Sequence, residues 1–337
     1  MQTPYFTLYS KTLSQNYNFL EELCKKYLKD FKICYSVKTN SLPKILNILS
    51  KEKCNFEIAS QNELSLINSF ASFKVFNSPC KTEEEINEAK KQDCLINADS
   101  LSELNKLAKL GIKELGIRIV FSDSKFGIES TKVKEAVKYA ESLGIKIICL
   151  HAHPGTQESI KDYEAFLKNF SDFLEKNKFK DVKYLDIGGG FPDKIQLKNL
   201  SLSLEDYFKL IRKYLPLEKT IILEPGRTIV SDSMSLITQV HYIKENFNKT
   251  YAILDAGINF LPKVTLSTYK FSKIEKENNK EKTEYFLAGP LLFSNDILGK
   301  FQGDLKEGDL IKVENVGAYC YNLSWTISYD KPKVVVS

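Results

Sequence analysis

The chain has 337 residues, of which 43% are hydrophobic and 27% are charged, a composition typical of a folded globular protein. Its 48 basic and 43 acidic residues are spread along the chain and leave a net charge of only +5, so nucleic-acid binding gains little support. No apolar run approaches the roughly 18 residues of a membrane span, and the first residues lack the features of a signal peptide. We therefore expect a cytoplasmic protein with one large domain or two moderate ones.

The seven cysteines form neither a CxxC pair nor a metal-type spacing. Several of them lie inside apolar runs, where cysteine behaves as a small buried side chain in a reducing compartment. The sequence therefore predicts free thiols and gives no sign of a cysteine-based metal site.

Strand and helix patterns alternate over most of the chain. Residues 3–10 are typical of a strand, and residues 11–29 carry an apolar stripe with helical spacing. The next predicted strands are Ile33–Val37, Phe56–Ala59, Lys74–Asn77, Cys94–Ala98, Leu115–Val120, Ile145–His151, Tyr184–Ile187 and Ile221–Leu223. Stretches with helical patterns separate them, at residues 41–50, 82–91, 101–110, 131–143, 161–176 and 204–214. Eight β-α units over about 200 residues predict an α/β fold, a (β/α)8 or TIM barrel.

After residue 231 the pattern changes to strands separated by turns. The predicted strands are Met234–Lys244, Tyr251–Leu254, Tyr285–Ala288, Asp309–Val313 and Lys333–Val336. We expect a C-terminal β domain, a sandwich or barrel completed by the N-terminal strand. The predicted boundaries place the barrel at 30–231 and the β domain at 1–29 and 232–337. The charged stretch at 273–284 is expected to be a solvated loop or hairpin tip.

The chemically unusual residues follow the predicted strands. In a barrel of this kind, functional groups lie at the C-terminal ends of the strands. Lys38 follows the first strand, residues 151–157 follow the sixth, and residues 188–192 follow the seventh. Residues 224–227, with the sequence Glu-Pro-Gly-Arg, follow the eighth. We therefore expect these segments to meet at one rim of the barrel.

Lys38 permits two interpretations. A lysine at a strand end commonly extends its ammonium group into water, and for this strand alone that is the better-supported interpretation. A desolvated and positioned lysine can instead form a Schiff base with pyridoxal 5′-phosphate (PLP). The other strand ends have to decide between the two.

The residues at those strand ends also have alternatives. The glycines at 188–190 form either a flexible turn or a cradle for a phosphate, and phosphate sites near strands 7 and 8 of such barrels favour the cradle. Arg227 alone would be a surface arginine, but at this strand end it can clamp the same phosphate. His151 and His153 share one strand face, yet no third ligand stands out, so no metal site is predicted. His153 is better suited to pack on an aromatic cofactor ring.

Nine motifs carry a family resemblance. They are YSVKTN, FEIAS with a following EL, SKFGI, HAHPGTQ, LDIGGGFP, EPGR, LDAGIN, GPLLFSND and NVGAY. In this order, from Lys38 to Tyr319, the set resembles the PLP-dependent ornithine and diaminopimelate decarboxylase family. The resemblance implies PLP as cofactor, an alanine-racemase-like barrel of fold type III followed by a β domain, and a homodimer that shares its active sites.

Position by position, the resemblance also assigns roles. It implies that Lys38 is the Schiff-base lysine, that Glu224 pairs with the pyridine nitrogen, and that His153 stacks on the cofactor ring. The further cofactor contacts that it implies are Thr156, Gly188, Gly189, Gly190, Gly226, Arg227 and Tyr319. Glu57, Glu63 and Arg118 are candidates for orienting these groups. Asp255 and Asn259 fit a family motif without an assigned role.

The residue expected at the pyridine nitrogen indicates the reaction. Decarboxylation leaves a carbanion at Cα, which PLP delocalises. A carboxylate from Glu224 keeps the pyridine nitrogen protonated and so strengthens the electron sink. The related racemases place an arginine there, by the same resemblance. We therefore prefer a decarboxylase to an amino-acid racemase or epimerase.

One motif departs from the family pattern. The family commonly has Gly-Pro-x-Cys followed by an acidic residue, where this chain has Leu292 and Phe293. Neither side chain can donate a proton or pair with an ammonium group. Another group, such as Cys320, Tyr321 or a water, is then expected to supply the proton. The far end of the substrate is expected not to be the simple cation of lysine or ornithine.

Two further positions bear on the substrate. Asp296 aligns with a family aspartate, and Lys263 lies near the place of a substrate-binding arginine in diaminopimelate decarboxylases. Together with Leu292 and Phe293 they are the candidate substrate residues. We expect a specialised biosynthetic decarboxylase that acts on a small amino acid, including a modified or carrier-linked one. The competing interpretation is an inactive, decarboxylase-like regulatory binding protein, which a complete cofactor site disfavours.

Overall fold

A computed structural model describes residues 2–67, 72–262, 268–275 and 283–337. The strands are β1 (Tyr5–Leu8), β2 (Phe31–Ser36), β3 (Asn55–Ile58), β4 (Lys74–Asn77), β5 (Leu95–Ala98), β6 (Glu114–Val120), β7 (Ile128–Glu129), β8 (Lys146–Ala152), β9 (Tyr184–Asp186), β10 (Thr220–Leu223), β11 (Met234–Asn246), β12 (Lys249–Leu254), β13 (Lys270–Lys273), β14 (Thr283–Ala288), β15 (Ile297–Gly303), β16 (Leu310–Glu314) and β17 (Lys333–Val336).

The helices are α1 (Ser10–Tyr27), α2 (Pro43–Lys51), α3 (Gln61–Ile67), α4 (Glu83–Lys91), α5 (Leu101–Lys109), α6 (Val133–Ser142), α7 (Ile160–Asn177), α8 (Lys194–Asn199), α9 (Leu204–Tyr214), α10 (Arg227–Val230) and α11 (Cys320–Leu323). Short 3-10 turns occupy Val37–Thr39 and Ser231–Ser233. None of the helices in the described ranges is both long and apolar enough to cross a membrane.

The chain divides into two compact units. One comprises Gln15–Thr228, and the other comprises Met1–Ser14 together with Ile229–Ser337. The division falls inside helix α1. The boundaries drawn from the sequence, at residues 30 and 231, stay predictions about the domains.

The first unit is a closed barrel of eight parallel strands. Its strands follow the order β2, β3, β4, β5, β6, β8, β9 and β10, and β10 pairs with β2 to close the ring. The two-residue strand β7 pairs with β6 outside this ring. The predicted TIM barrel is confirmed, since each of the eight predicted barrel strands overlaps an observed one.

The barrel strands carry a buried apolar layer. Its members are Cys34, Val75, Leu95, Ile148, Cys149 and Ile222, with Phe73 and Tyr184 packed against them. Alternate residues of a strand share one face, so the residues two positions later point the same way. Asn77, Asn97, His151 and Glu224 lie two positions after Val75, Leu95, Cys149 and Ile222. Polar groups therefore follow apolar ones toward the C-terminal ends of the strands.

Side-chain caps define where several barrel helices begin. Thr82 and Glu85 form a reciprocal capping box at the start of α4. Ser100 and Ser159 accept backbone N–H groups at the starts of α5 and α7. Such caps satisfy N–H groups that have no partner within the helix. They fix the lengths of the loops that follow the barrel strands.

The second unit contains an eight-stranded sheet in the order β13, β16, β11, β12, β14 and β15, with β1 paired to β11 and β17 paired to β1. Strand β1 pairs antiparallel with β11, from Tyr5 opposite Ile237 to Leu8 opposite Met234. It also pairs parallel with β17. The prediction that the N-terminal strand completes the C-terminal β domain is therefore confirmed.

Among the described residues, seven helices and strands were not predicted, and three of them, β7, α10 and α11, have only two to four residues. Strands β13 and β15 have weak strand patterns, because β13 contains two lysines among four residues and β15 contains two glycines. Helices α3 and α8 have only seven and six residues, too few to show a helical period clearly.

Candidate active site

Lys38 is held by a buried carboxylate. It lies in the 3-10 turn that follows β2, and its Nζ donates to Oε2 of Glu57 at 2.6 Å. Ser36 Oγ donates to the same oxygen at 2.7 Å. Burial alone would raise the pKa of Glu57, but the charge and hydrogen bond of Lys38 outweigh it, and the pKa is lowered. The amine is therefore positioned by an ionised partner and does not simply extend into water.

Six polar side chains form a buried layer beside this pair. They are Glu57 on β3, Asn77 on β4, Asn97 on β5, His151 on β8, Asp186 on β9 and Glu224 directly after β10. None of the six is more than 6% exposed. Buried polar groups are costly unless they bond to one another. Asn77 Nδ2 donates to Oε1 of Glu224 at 2.5 Å, and Asn97 Nδ2 donates to Oδ1 of Asn77 at 2.8 Å.

Two carboxyl groups of this layer resist ionisation. Burial, followed by the charges of Asp186 and Glu57, raises the pKa of Glu224 well above its usual range. Burial, with a contribution from Glu57, raises the pKa of Asp186 to about 7. Asp186 Oδ1 also accepts the N–H of Gly188 at 3.0 Å. The layer therefore contains two acid groups whose ionisation depends on the charge of the group that binds beside them.

His151 lies next to these acids. Its Nε2 is 3.7 Å from Oε2 of Glu224, and the ligand atoms of His151, Asp186 and Glu224 all lie within 4.8 Å of one another. Burial, followed by the positive charge of Arg118, lowers the pKa of His151 well below its usual range. His151 is therefore neutral. From the sequence, His151 shares a strand face with His153 and no third ligand stands out, whereas in the structure Asp186 and Glu224 lie beside it.

His153 packs on the turn that follows β9. A Cβ added at Gly188 would lie 2.5 Å from Cδ2 of His153, and Gly188 has a φ of +62°. The N–H of Gly155 donates to Nδ1 of His153 at 3.1 Å. Burial and the charges of Lys38 and Arg118 lower the pKa of His153 to about 3. The structure thus presents a neutral imidazole ring against a glycine.

The other predicted cofactor contacts of the barrel unit occupy neighbouring loops. A Cβ at Gly189 would lie 2.5 Å from the carbonyl oxygen of Glu224, and one at Gly190 would lie 2.6 Å from Cγ of Pro154. A Cβ at Gly226 would lie 2.0 Å from Oγ1 of Thr39. These glycines allow the loops after β2, β8, β9 and β10 to pack together.

Thr156 and Arg227 complete the predicted set in this unit. Thr156 is exposed in the loop after β8, and Arg227 is buried at the first position of α10. Both therefore follow strands of the same barrel as Lys38 and Glu224, at the rim where TIM barrels place their active sites.

The predicted orienting residues also lie on this rim. Arg118 on β6 lies 3.8 Å from Asp99 and places its guanidinium 4.3 Å from the ring centroid of Phe126. Glu63 accepts the N–H of Ala59 at 2.7 Å, which ties the loop after β3 to helix α3. Burial raises the pKa of Glu63.

The remaining predicted site residues belong to the second unit. Tyr319 precedes α11 in a left-handed conformation with a φ of +66°. Leu292 is fully exposed, and Phe293 is 45% exposed. Asp296 is buried and accepts the N–H groups of Ile258 and Leu291 at 2.7 and 2.8 Å. Lys263 lies outside the described residues.

The proposed replacement proton donors and the LDAGIN motif also lie in this unit. Cys320 is fully buried, with its sulfur 3.1 Å from the hydroxyl of Tyr269. Tyr321 makes an edge contact with Phe6. Asp255 accepts from Thr238 Oγ1 at 2.6 Å, and Asn259 is fully buried with its carbonyl oxygen bonded to the N–H of Trp325. Within the unit, Asp255 and Asn259 thus hold neighbouring segments together.

Three residues of the buried polar layer were not predicted from the sequence: Asn77, Asn97 and Asp186. Each is the last polar side chain on the inward face of a strand, two positions after Val75, Leu95 or Tyr184. The period of two would have placed them inside the barrel. A polar side chain at the inward-facing end of a strand was therefore the sequence signal that could have identified these three residues.

The barrel residues fit PLP. Lys38 supplies an amine that is hydrogen-bonded to a carboxylate, Glu224 supplies a buried acid, and His153 supplies a flat neutral ring. Gly188 has the positive φ that a tight turn at a phosphate requires, and Arg227 offers a guanidinium at the next loop.

Comparison with known proteins identifies the family. A family model described as pyridoxal-dependent decarboxylase, pyridoxal binding domain, matches residues 18–231. Diaminopimelate decarboxylase of Aquifex aeolicus is 30% identical over 342 aligned residues, which cover 91% of this chain and 81% of the relative. The chain belongs to the PLP-dependent decarboxylases, and its cofactor is PLP. The predicted family, cofactor and enzyme class are confirmed.

Solved structures agree on the fold. Diaminopimelate decarboxylase from Helicobacter pylori complexed with L-lysine superposes with a TM-score of 0.87 at 26% identity, covering 100% of this chain and 91% of that chain. The Paramecium bursaria Chlorella virus arginine decarboxylase superposes with a TM-score of 0.88 at 20% identity, covering 100% and 96%. The second likeness shows the fold alone. The names of these relatives differ in substrate, so they define an amino-acid decarboxylase without fixing its amino acid.

Proposed function

We propose that this decarboxylase removes the α-carboxylate of a specialised biosynthetic amino acid whose far end is not a lone ammonium group. A modified or carrier-linked amino acid belongs to this class. The proposal is supported most directly by Leu292 and Phe293, which occupy the positions where the family commonly carries a cysteine and an acid. Both side chains are apolar, and both are exposed within their unit.

The barrel residues divide the work as follows. Lys38 holds the cofactor, and ionised Glu57 holds Lys38 in place. Glu224 keeps a proton at the pyridine nitrogen, and His153 packs on the ring without adding charge, because its pKa is about 3. When bound, PLP supplies an electron sink for the electron pair that the departing CO₂ leaves behind.

The first experiment tests the cofactor role of Lys38. Purified protein is expected to show a visible absorbance band with PLP, and borohydride reduction followed by peptide mass spectrometry should find the adduct on Lys38. Lys38→Ala should lose the band, whereas Lys44→Ala, a substitution in helix α2, should keep it. An adduct on another lysine would contradict the assignment.

The second experiment tests the substrate. CO₂ release and loss of chirality are measured for lysine, ornithine, arginine and diaminopimelate, and for amino acids with neutral, acylated or acidic far ends. We expect the highest kcat/KM in the second group. A preference for lysine or ornithine would refute the substrate proposal, and racemisation without CO₂ would point to a racemase.

A further inference from the structure

The amide of Asn77 lies between two carboxyl groups of the site. Its Nδ2 is 2.5 Å from Oε1 of Glu224 and 3.4 Å from Oε1 of Glu57. Glu57 uses its other oxygen to accept from Lys38 and Ser36. One amide therefore connects the carboxylate that holds the reactive amine with the carboxyl group proposed to meet the pyridine nitrogen.

The orientation of this amide is fixed by its neighbours. Asn97 Nδ2 donates to Oδ1 of Asn77 at 2.8 Å, so the nitrogen of Asn77 must face the carboxyl groups. Asn97 is itself confined, since a Cβ at Gly116 would lie 1.8 Å from its Oδ1. Asn77 and Asn97 are directly paired on strands β4 and β5. The barrel wall thus presents a fixed N–H donor to Glu224.

A fixed donor affects the ionisation of Glu224. A hydrogen bond to the charged form of a carboxyl group stabilises that form. Burial and the charges of Asp186 and Glu57 act in the opposite sense, because they raise the pKa of Glu224. These surroundings favour the neutral acid in the PLP-free protein, and the N–H of Asn77 lowers the cost of the ionised form that pairs with a protonated pyridine nitrogen.

We propose that Asn77 is a positioning residue that aims Glu224 at the pyridine nitrogen of the cofactor and stabilises its ionised form once the cofactor is bound. The inference rests on the proposed role of Glu224. The inference does not depend on the identity of the substrate, because it is tested by PLP binding in the absence of substrate. Asn77 touches neither substrate nor cofactor in this assignment and acts through Glu224.

Other titratable groups face the same space. Glu57 lies on β3, Asp186 on β9, His151 on β8, and Lys38 follows β2, while Glu224 follows β10. His151 stays neutral, and the pKa of Asp186 is about 7. All five are unchanged in variants of position 77. The ratio of cofactor affinities between a variant and the wild type therefore reports on position 77.

The experiment titrates the PLP-free protein with PLP at several pH values and follows the visible absorbance. At mildly alkaline pH, where an aspartate at position 77 is ionised, Asn77→Asp and Asn77→Ala should bind PLP at least about tenfold more weakly than the wild type, since each loses a hydrogen bond to a charged group. The deficit of Asn77→Asp should shrink as the pH falls, because its carboxyl group, once protonated, donates again. The deficit of Asn77→Ala, which has no titratable group at position 77, should change less with pH than that of Asn77→Asp.

Two further variants separate the donor from packing. Asn77→Ser has nearly the size of Asn77→Ala but keeps a donor, so it should bind PLP more tightly than Asn77→Ala. Asn105→Asp, a substitution on helix α5, should bind like the wild type. The inference is overturned if Asn77→Asp binds PLP within about twofold of the wild type at mildly alkaline pH, or if its deficit does not change with pH. Failure of the wild type to bind PLP would refute the proposed function instead.

Discussion

At the scale of single residues, the functional chemistry of the barrel is a set of charges fixed by neighbours. Lys38 donates a hydrogen bond to Glu57, and Glu224 accepts one from Asn77. The motifs around Lys38 and Glu224 predict both as site residues, and their functional roles stay predictions. Asn77 was not predictable as part of the site, because an asparagine at a strand end is common and its partners lie on other strands.

Phe293 is the residue that carries the substrate proposal. Phe293 stands where the family commonly has an acid, so a lone ammonium group on the substrate has no partner there. The double variant Leu292→Cys with Phe293→Glu should therefore lower the KM for lysine by about tenfold, which corresponds to one hydrogen bond between charged groups. Steady-state kinetics with lysine measure this. Phe247→Glu adds the same charge at a fully exposed residue and should leave the KM unchanged. An unchanged KM in the double variant would contradict the role of Phe293.

At the scale of elements, the loops after the strands are packed more tightly than their sequences indicate. Eight strands were predictable because apolar runs alternate with helical stretches. The contact between Gly188 and His153 was not, because it joins the loops after β9 and β8. A glycine triplet shows that the chain can turn there, but only the folded loops show that a ring occupies the space of a side chain.

Gly188→Ala tests this contact against a matched glycine. Gly144 has a φ of +74° and no neighbour within 4 Å of an added Cβ, whereas Gly188 has a φ of +62° and meets His153. Both alanine variants should lose about 1–2 kcal/mol of unfolding free energy from the left-handed backbone. Only Gly188→Ala should also weaken PLP binding, because it displaces His153. Urea unfolding and PLP titration measure the two effects, and equal PLP affinity in both variants would contradict the contact.

At the scale of the whole molecule, the order of elements predicted the barrel and the added N-terminal strand. It did not predict the pairing inside the sheet of the second unit. Strand β12 pairs parallel with β14, and β1 pairs parallel with β17 from the other end of the chain. Such pairings follow from packing between distant segments, which no local pattern encodes. The homodimer implied by the family resemblance stays a prediction, which light scattering in solution measures.

The buried acids should also control how the stability of the PLP-free protein depends on pH. The pKa of Asp186 is about 7 in the folded protein, against roughly 3.9 in an unfolded chain. Between these values Asp186 binds more protons in the folded state than in the unfolded state, so its contribution to stability falls as the pH rises. The contribution is greatest below the unfolded pKa and is lost as the pH rises through about 7. Glu224, whose pKa is also raised, acts in the same direction.

Asp186→Asn should therefore flatten this dependence. The variant removes one acid, and it also removes a charge that raises the pKa of Glu224, so both contributions to the slope shrink. As the pH rises from mildly acidic to mildly alkaline, the melting temperature of the PLP-free variant should increase relative to that of the wild type. The neutral buried histidines act in the opposite sense, but they are present in both proteins. Asp172→Asn, a substitution at an exposed residue of α7, should follow the wild type. A difference in melting temperature between Asp186→Asn and the wild type that does not change with pH would show that the pKa of Asp186 is not raised in the folded protein.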